Sequence, residues 1–280
     1  MLLSDRFTYI HEPKTGGTFV THVLTRLHGH LVDLPPTRRR GPLLRRLGLP
    51  TLAFRAELRR AAPAAPEVGK YGTLYNWNDH GTCSEIPRPY RPRTTLATVR
   101  SPFETYVSLF LFEWWRRPDS VARFERVVPE FRRRFPRFPE LSFAEYMELL
   151  DAQCAVPGVG FLTERFVRYY FRSPRAALRR VDDRRSREDM YDVRFLHTAR
   201  LNEELREALV DLGYDAADLE FVAGLGLVVP AGGTKTATVE RSTSHDWLRY
   251  YTPELEADVR RKDRLMFTLF PELDPVAAPS

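Results

Sequence analysis

Phe7, Tyr9 and Ile10 make residues 7–11 a short, mostly apolar segment that predicts a strand. Phe19, Val20, Val23, Leu24 and Leu27 then recur at helical spacing until Gly29, a helix stop. The same change from strand to helix returns twice. Residues 94–100 (Thr-Thr-Leu-Ala-Thr-Val-Arg) read as a buried strand running into Ser101-Pro102-Phe103-Glu104. There Ser101 is the expected N-cap, Pro102 the first helical residue and Glu104 the partner completing a capping box. Phe103, Val107, Phe110 and Trp114 mark the apolar face of that helix. Residues 193–198 predict a third strand, followed by a helix over 202–212. A helix capped by Ser142 with Glu145 covers 142–150. A last helix starts at Thr252-Pro253-Glu254, buries Leu255, Val259, Met266, Leu269 and Phe270, and stops at Pro271. This alternation predicts an α/β fold, a central parallel sheet flanked by helices, with ligands at the C-terminal edge of the strands.

Between these segments the pattern weakens. Residues 35–68 are rich in arginine, proline, alanine and leucine, and Pro35, Pro36, Pro42, Pro50, Pro63 and Pro66 cut them into pieces. They predict a basic insertion of two short amphipathic helices, with an acceptor-binding flap as the functional alternative. Residues 70–82 are polar and aromatic and lead back toward the sheet, ending in a loop at His80-Gly81. Residues 115–138 mix arginine with aromatics, as in Arg132-Arg133-Arg134-Phe135, and read as a solvated helix of an arginine-rich protein. Residues 225–244 form a loop rich in glycine and threonine. No internal repeat is present, and residues 1–280 are expected to form one domain carrying the insertion at about 35–68.

Composition narrows the partners. Hydrophobic residues make up 43% and charged residues 29%, ordinary values for a globular protein. A net charge of +6 favours an anionic ligand. The charge is scattered and mostly arginine, so a nucleotide accounts for it and no nucleic-acid partner is expected. Cys83 and Cys154 are the two cysteines, without paired metal-ligand spacing, so neither a disulfide framework nor a zinc site is expected. No run approaches the roughly 20 apolar residues of a membrane span.

The candidate chemistry lies at the first two strand–helix junctions. Pro13-Lys14-Thr15-Gly16-Gly17-Thr18 joins the first strand to the first helix. Backbone N–H groups at a helix start attract a phosphate or sulfate, glycines permit close approach, and Lys14 adds a movable positive charge. This is not the ATP-type P-loop, in which lysine follows the second glycine; Lys14 precedes both. At the second junction Arg100 and Ser108 are placed to converge on one phosphate, as a fork of donors and a hydroxyl. His80 is the side chain suited to accept a proton near neutral pH, with Glu12 and Glu85 as rival bases.

Pro-Lys-Thr-Gly-Gly-Thr resembles the phosphosulfate-binding loop of sulfotransferases that use 3′-phosphoadenosine 5′-phosphosulfate (PAPS). Arg-Ser-Pro-Phe-Glu-Thr-Tyr-Val-Ser, residues 100–108, resembles their 3′-phosphate motif, an arginine eight positions ahead of a helix-borne serine. The pattern is most similar to carbohydrate O-sulfotransferases typified by heparan sulfate 2-O-sulfotransferase, and touches most of the chain outside roughly residues 31–70. The resemblance implies a P-loop-like three-layer sandwich. It implies sulfuryl transfer from PAPS to a hydroxyl of a sugar, glycolipid or secondary metabolite, releasing 3′-phosphoadenosine 5′-phosphate (PAP). Pro13, Lys14, Thr15, Gly16, Gly17 and Thr18 would bind the cofactor, Lys14 also acting in catalysis. Arg100 and Ser108 would hold the 3′-phosphate, and Arg241 with Lys235 would close over the nucleotide.

In the family a histidine, often in a Gly-His pair, precedes the arginine strand and acts as base. His80 takes that place, with the glycine order inverted in Asp79-His80-Gly81. The family's Glu-Asn-Leu segment is here Ala199-Arg200-Leu201-Asn202, without the first acid, and His197 is expected to be structural. The resemblance implies no metal. Animal Golgi members carry a membrane anchor ahead of the loop; its absence here leads to the expectation of a cytoplasmic bacterial enzyme. Two other classes stay open: a nucleotide kinase-like P-loop enzyme, and a non-catalytic nucleotide- or glycan-binding protein. The first lacks its Walker A lysine and magnesium-holding acid, and the second needs no base.

Overall fold

Six short strands join in one sheet in this computed structural model, which describes residues 1–34, 49–61, 69–181, 184–226 and 246–275. In chain order the elements begin β1 (Leu2–Leu3), β2 (Phe7–Ile10), α1 (Gly17–His28), β3 (Val32–Leu34) and α2 (Pro50–Ala61). Then come β4 (Tyr75–Trp77), β5 (Thr94–Val99), α3 (Pro102–Leu111), α4 (Pro118–Val127), α5 (Phe143–Asp151) and α6 (Phe161–Tyr170). The order closes with β6 (Arg194–His197), α7 (Leu201–Asp211), α8 (Pro253–Lys262) and α9 (Arg264–Leu269). The chain divides into two compact units, Met1–Val99 with Tyr191–Gly233, and Arg100–Met190 with Thr234–Ser280.

The first unit holds the sheet, in the order β3-β4-β1-β2-β5-β6. β2 pairs in parallel with β5, from Phe7 opposite Thr94 to Ile10 opposite Ala97. β5 pairs in parallel with β6, and β3 with β4. β1 is antiparallel to both of its neighbours, so the other five strands point one way. The fold is therefore α/β, a mostly parallel sheet flanked by helices, and the C-terminal ends of β2, β5 and β6 share one edge. Phe7, Tyr9, Leu96 and Leu196 from the strands form one core with Val20, Val23 and Leu24 of α1 and Leu205, Ala208 and Leu209 of α7. Gly29 ends α1 in the left-handed conformation at φ 78°, as its sequence position predicts.

β1, β3 and β4 have two or three residues each, too short to leave a periodic signal. Residues 75–77, read from sequence as part of a connecting segment, are a sheet strand, with Leu34 opposite Trp77. Of the basic insertion, Leu49 and α2 are described; residues 35–48 and 62–68 lie outside the described residues. Phe54 of α2 sits edge-on to Tyr75, Trp77 and Tyr90, at centroid distances of 6.0, 5.7 and 5.4 Å.

The second unit is helical and aromatic. Trp115, Phe124, Phe131, Phe135 and Phe138 are buried with Phe103, Tyr106, Phe143 and Tyr146. This corrects the solvated-helix reading of residues 115–138. Prolines divide the stretch into α4 and shorter helical pieces whose aromatics are buried while the arginines between them remain exposed. The capping box at Ser142 and Glu145 forms, and Thr252 caps α8. The single last helix expected from sequence is two, because the chain breaks at Asp263 between α8 and α9. Among the described residues, no helix is long and apolar enough to cross a membrane.

Candidate active site

The turn from β2 to α1 is tied down by hydroxyl groups. Thr15 is buried, and its Oγ1 donates to the Glu12 carbonyl at 3.0 Å while lying 2.8 Å from Thr98 Oγ1 on β5. Thr98 also meets the Tyr9 hydroxyl at 3.0 Å. Thr198, just beyond β6, places its hydroxyl 3.0 Å from the Thr15 carbonyl and 2.9 Å from the Val99 carbonyl. Three parallel strand ends are thus laced together under the loop. The Thr15 hydroxyl is turned inward, so what this residue offers an anion is its backbone N–H.

Lys14 has φ 69°, a left-handed conformation that costs a residue with a Cβ about 1–2 kcal/mol. Gly16, at φ 99°, is the N-cap of α1 and offers no side-chain cap, and the first turn of α1 holds no acidic residue. The first N–H groups of such a helix have no acceptor within it. The sequence reading gave the paired glycines one purpose, close approach to an anion. The structure shows another: a Cβ on Gly17 would lie 1.9 Å from His11 Cδ2, and one on Gly16 would lie 2.9 Å from Leu201 Cδ2.

His11, which the sequence reading passed over as the end of a strand, covers Gly17. Burial pushes its imidazole down to about 3, and the neighbouring His80 and the amino terminus add to that shift, so His11 is neutral at working pH. His80 is exposed, with Nδ1 3.2 Å from the His11 carbonyl and its ring edge-on to that of His11 at 5.3 Å. Of the rival bases, Glu12 is buried at 5% exposure. Glu85 has both carboxylate oxygens engaged, Oε1 accepting from Asn78 Nδ2 at 3.1 Å and Oε2 from Thr82 N at 2.9 Å. His80 is the exposed member of the three.

Arg100 follows β5 directly, and its Nε donates to Glu104 Oε2 at 3.1 Å. Ser108 is half-buried on α3. The capping box expected at Ser101 does not form: Ser101 is the N-cap, but its hydroxyl donates to the Leu273 carbonyl at 2.9 Å. A carboxylate bonds a guanidinium more strongly than a neutral N–H, which draws Glu104 to Arg100. Arg241 and Lys235 lie outside the described residues. His197 donates its backbone N–H to Glu204, whose carboxylate also lies 3.2 Å from its Nδ1. Thr98, Thr198 and His11 carry no motif of their own. The one local signal was adjacency, since His11 stands two residues before the loop.

No family model matches the chain, and no curated protein matches it. Among solved structures it is similar to the mouse sulfotransferase SULT7A1, crystallised with PAP. That likeness covers 98% of this chain and 87% of the other, at 15% identity and a TM-score of 0.47.

Proposed function

We propose that this protein is a sulfotransferase that moves a sulfuryl group from PAPS to an acceptor hydroxyl and releases PAP, in the manner of carbohydrate O-sulfotransferases. One observation carries the reading. A helix start with neither a cap nor an acid in its first turn is preceded by Lys14, and an exposed histidine is bonded to the same short segment through His11. The loop suits a phosphosulfate on its chemistry: a cation, oriented N–H groups and no carboxylate in the turn that would receive it.

PAPS, when bound, supplies a sulfuryl group on a phosphate that gains negative charge as it leaves. Lys14 and the N–H groups of residues 15–18 hold that phosphate and stabilise the added charge. Pro13, which has no N–H, shapes the entry to the turn. His80 Nε2 accepts the proton of the attacking hydroxyl. Arg100, Ser108 and Arg241 bind the 3′-phosphate. The acceptor is a small molecule or carbohydrate.

Calorimetry with PAP in the absence of metal, beside ATP with magnesium, tests the cofactor. PAP is expected to bind and ATP with magnesium to bind less well; the reverse order would identify a kinase. Transfer of labelled sulfate from PAPS to a panel of sugars and phenols then tests the reaction, and PAP binding without transfer to any hydroxyl would mark a binding protein.

A further inference from the structure

We infer that Glu85 is the positioning residue for His80: its carboxylate clamps the turn that carries the histidine, so that Nδ1–H donates a hydrogen bond to the His11 carbonyl and Nε2 is left to accept the substrate's proton. The inference rests on the proposed role of His80 as base. Its support is the way one carboxylate spans the turn. Oε1 takes the Asn78 amide on one side of His80 and Oε2 takes the Thr82 N–H on the other, at 3.1 and 2.9 Å. Within this bracket the Gly81 N–H donates to the Asn78 carbonyl at 2.7 Å, and Asn78 holds φ 52°, a left-handed value that asparagine tolerates well. A Cβ on Gly81 would stand 2.3 Å from Met1 Cε and 3.0 Å from Asn78 Nδ2, so a side chain there would press on the turn.

His80 itself is exposed, and its ring bonds at 3.2 Å to a carbonyl. An exposed imidazole has little packing to orient it, so the turn beneath decides where the ring points. A carbonyl only accepts, so the nitrogen facing it carries hydrogen and the other carries the lone pair. When Nε2 takes the hydroxyl proton, the same Nδ1–H bond becomes charge-assisted and strengthens. The His11 ring, neutral through burial, sets no second positive charge beside the imidazolium.

The test is nitrogen-15 NMR of the histidines in the full chain at pH 8, assigned with His80→Ala, together with kcat and the Kd for PAP. In the wild type His80 should be protonated on Nδ1 with a bare Nε2, the reverse of the tautomer that free imidazole side chains prefer. Glu85→Ala should shift His80 to the free-solution mixture and lower kcat about 10–100-fold through misplacement, with the Kd for PAP unchanged. Glu85→Gln, whose oxygen accepts from the Thr82 N–H while its NH2 donates to a flipped Asn78 amide, should retain the wild-type tautomer and most of kcat. Asn78→Ala, which opens one side of the clamp, should fall between them and stands in if Glu85→Ala does not fold. A wild-type His80 protonated on Nε2 overturns the inference, as does a Glu85→Ala protein with unaltered tautomer and kcat. A Glu85→Gln protein that is inactive with its tautomer intact would make Glu85 the base and overturn it too. If the wild type neither binds PAP nor transfers sulfate, the functional reading fails, while the tautomer still decides the clamp.

Discussion

The starts of α1 and α6 answer one physical problem in opposite ways. Each helix begins at a glycine kept free of a side chain by a neighbour. A Cβ on Gly17 would strike the His11 ring, and one on Gly160, before α6, would stand 2.3 Å from Asp263 Oδ1. At α6 the intruding group is an acid. Asp263 is fully buried, its Oδ1 accepting from Thr163 N at 2.8 Å and its Oδ2 from the Tyr106 hydroxyl at 2.6 Å. The chain supplies that helix with its own negative charge. At α1 the intruding group is a neutral imidazole, and no acid occupies the first turn. One start is complete in itself; the other leaves donors for something from outside, and Lys14 adds to them.

If that difference marks a site, damage at α1 should remove function and damage at Asp263 should alter stability. The largest effect is expected at His80. His80→Ala should lower kcat by about 10²–10⁴ while keeping the Kd for PAP, since the base faces the acceptor. Stopped assays with a working acceptor and calorimetry on the same preparation check both halves. Lys14→Ala should lower kcat by about 10²–10³, the cost of losing a donor to developing charge. Turnover close to wild type in that variant would make α1 an uncapped helix and nothing more.

Asp263 should behave in the opposite manner, through stability and pH. Burial raises its carboxyl from 3.8 to about 6, although its bonds to Tyr106 and Thr163 act the other way. The folded chain therefore holds this proton more tightly than the unfolded chain between those values. The stabilisation is fully present below about pH 4 and is lost as pH rises through 6, after which the buried charge costs about 3 kcal/mol. Asp263→Asn keeps the acceptor for Thr163 and removes the charge. Urea unfolding should show the variant gaining on the wild type between pH 4 and 7, with PAP affinity unaltered. A difference that stays constant with pH would mean that Asp263 is ionised at little cost.

α3 sharpens the comparison as an intermediate case, with its cap hydroxyl diverted to Leu273 and its first-turn acid drawn to Arg100. Arg100→Ala should weaken PAP binding by about 2–3 kcal/mol if the guanidinium holds the 3′-phosphate. Unchanged affinity in a folded variant would remove Arg100 from the 3′-phosphate site. The smallest effect is expected from giving α1 the acid it lacks. Thr18→Asp should stabilise the fold by about 0.3–1 kcal/mol through the helix dipole and weaken PAP binding about tenfold. Stabilisation without loss of affinity would place the anion elsewhere.

The sequence by itself determined what is local. Residues within four positions of one another set the β2 strand, the turn at Lys14, the stop at Gly29, the caps at Ser142 and Thr252, and the order of β5 and Arg100, because periodicity, caps and turns act over that range. The strand–helix junctions that carry Lys14 and Arg100 were legible for the same reason. Where two local signals competed, the stronger charge prevailed, and Glu104 left Ser101 for Arg100. Tertiary structure alone decided what lies across the chain. It inserted the two-residue β1 between β4 and β2, turned the Thr15 hydroxyl inward to Thr98, 83 residues away, and sent the aromatics of residues 115–138 into a core. It also set His80 against the His11 carbonyl, 69 residues earlier, and engaged Glu85 with the turn that carries His80. No short pattern encodes such pairs, since their separation is fixed by the register of neighbouring strands and by which side chains the packed interior leaves room for.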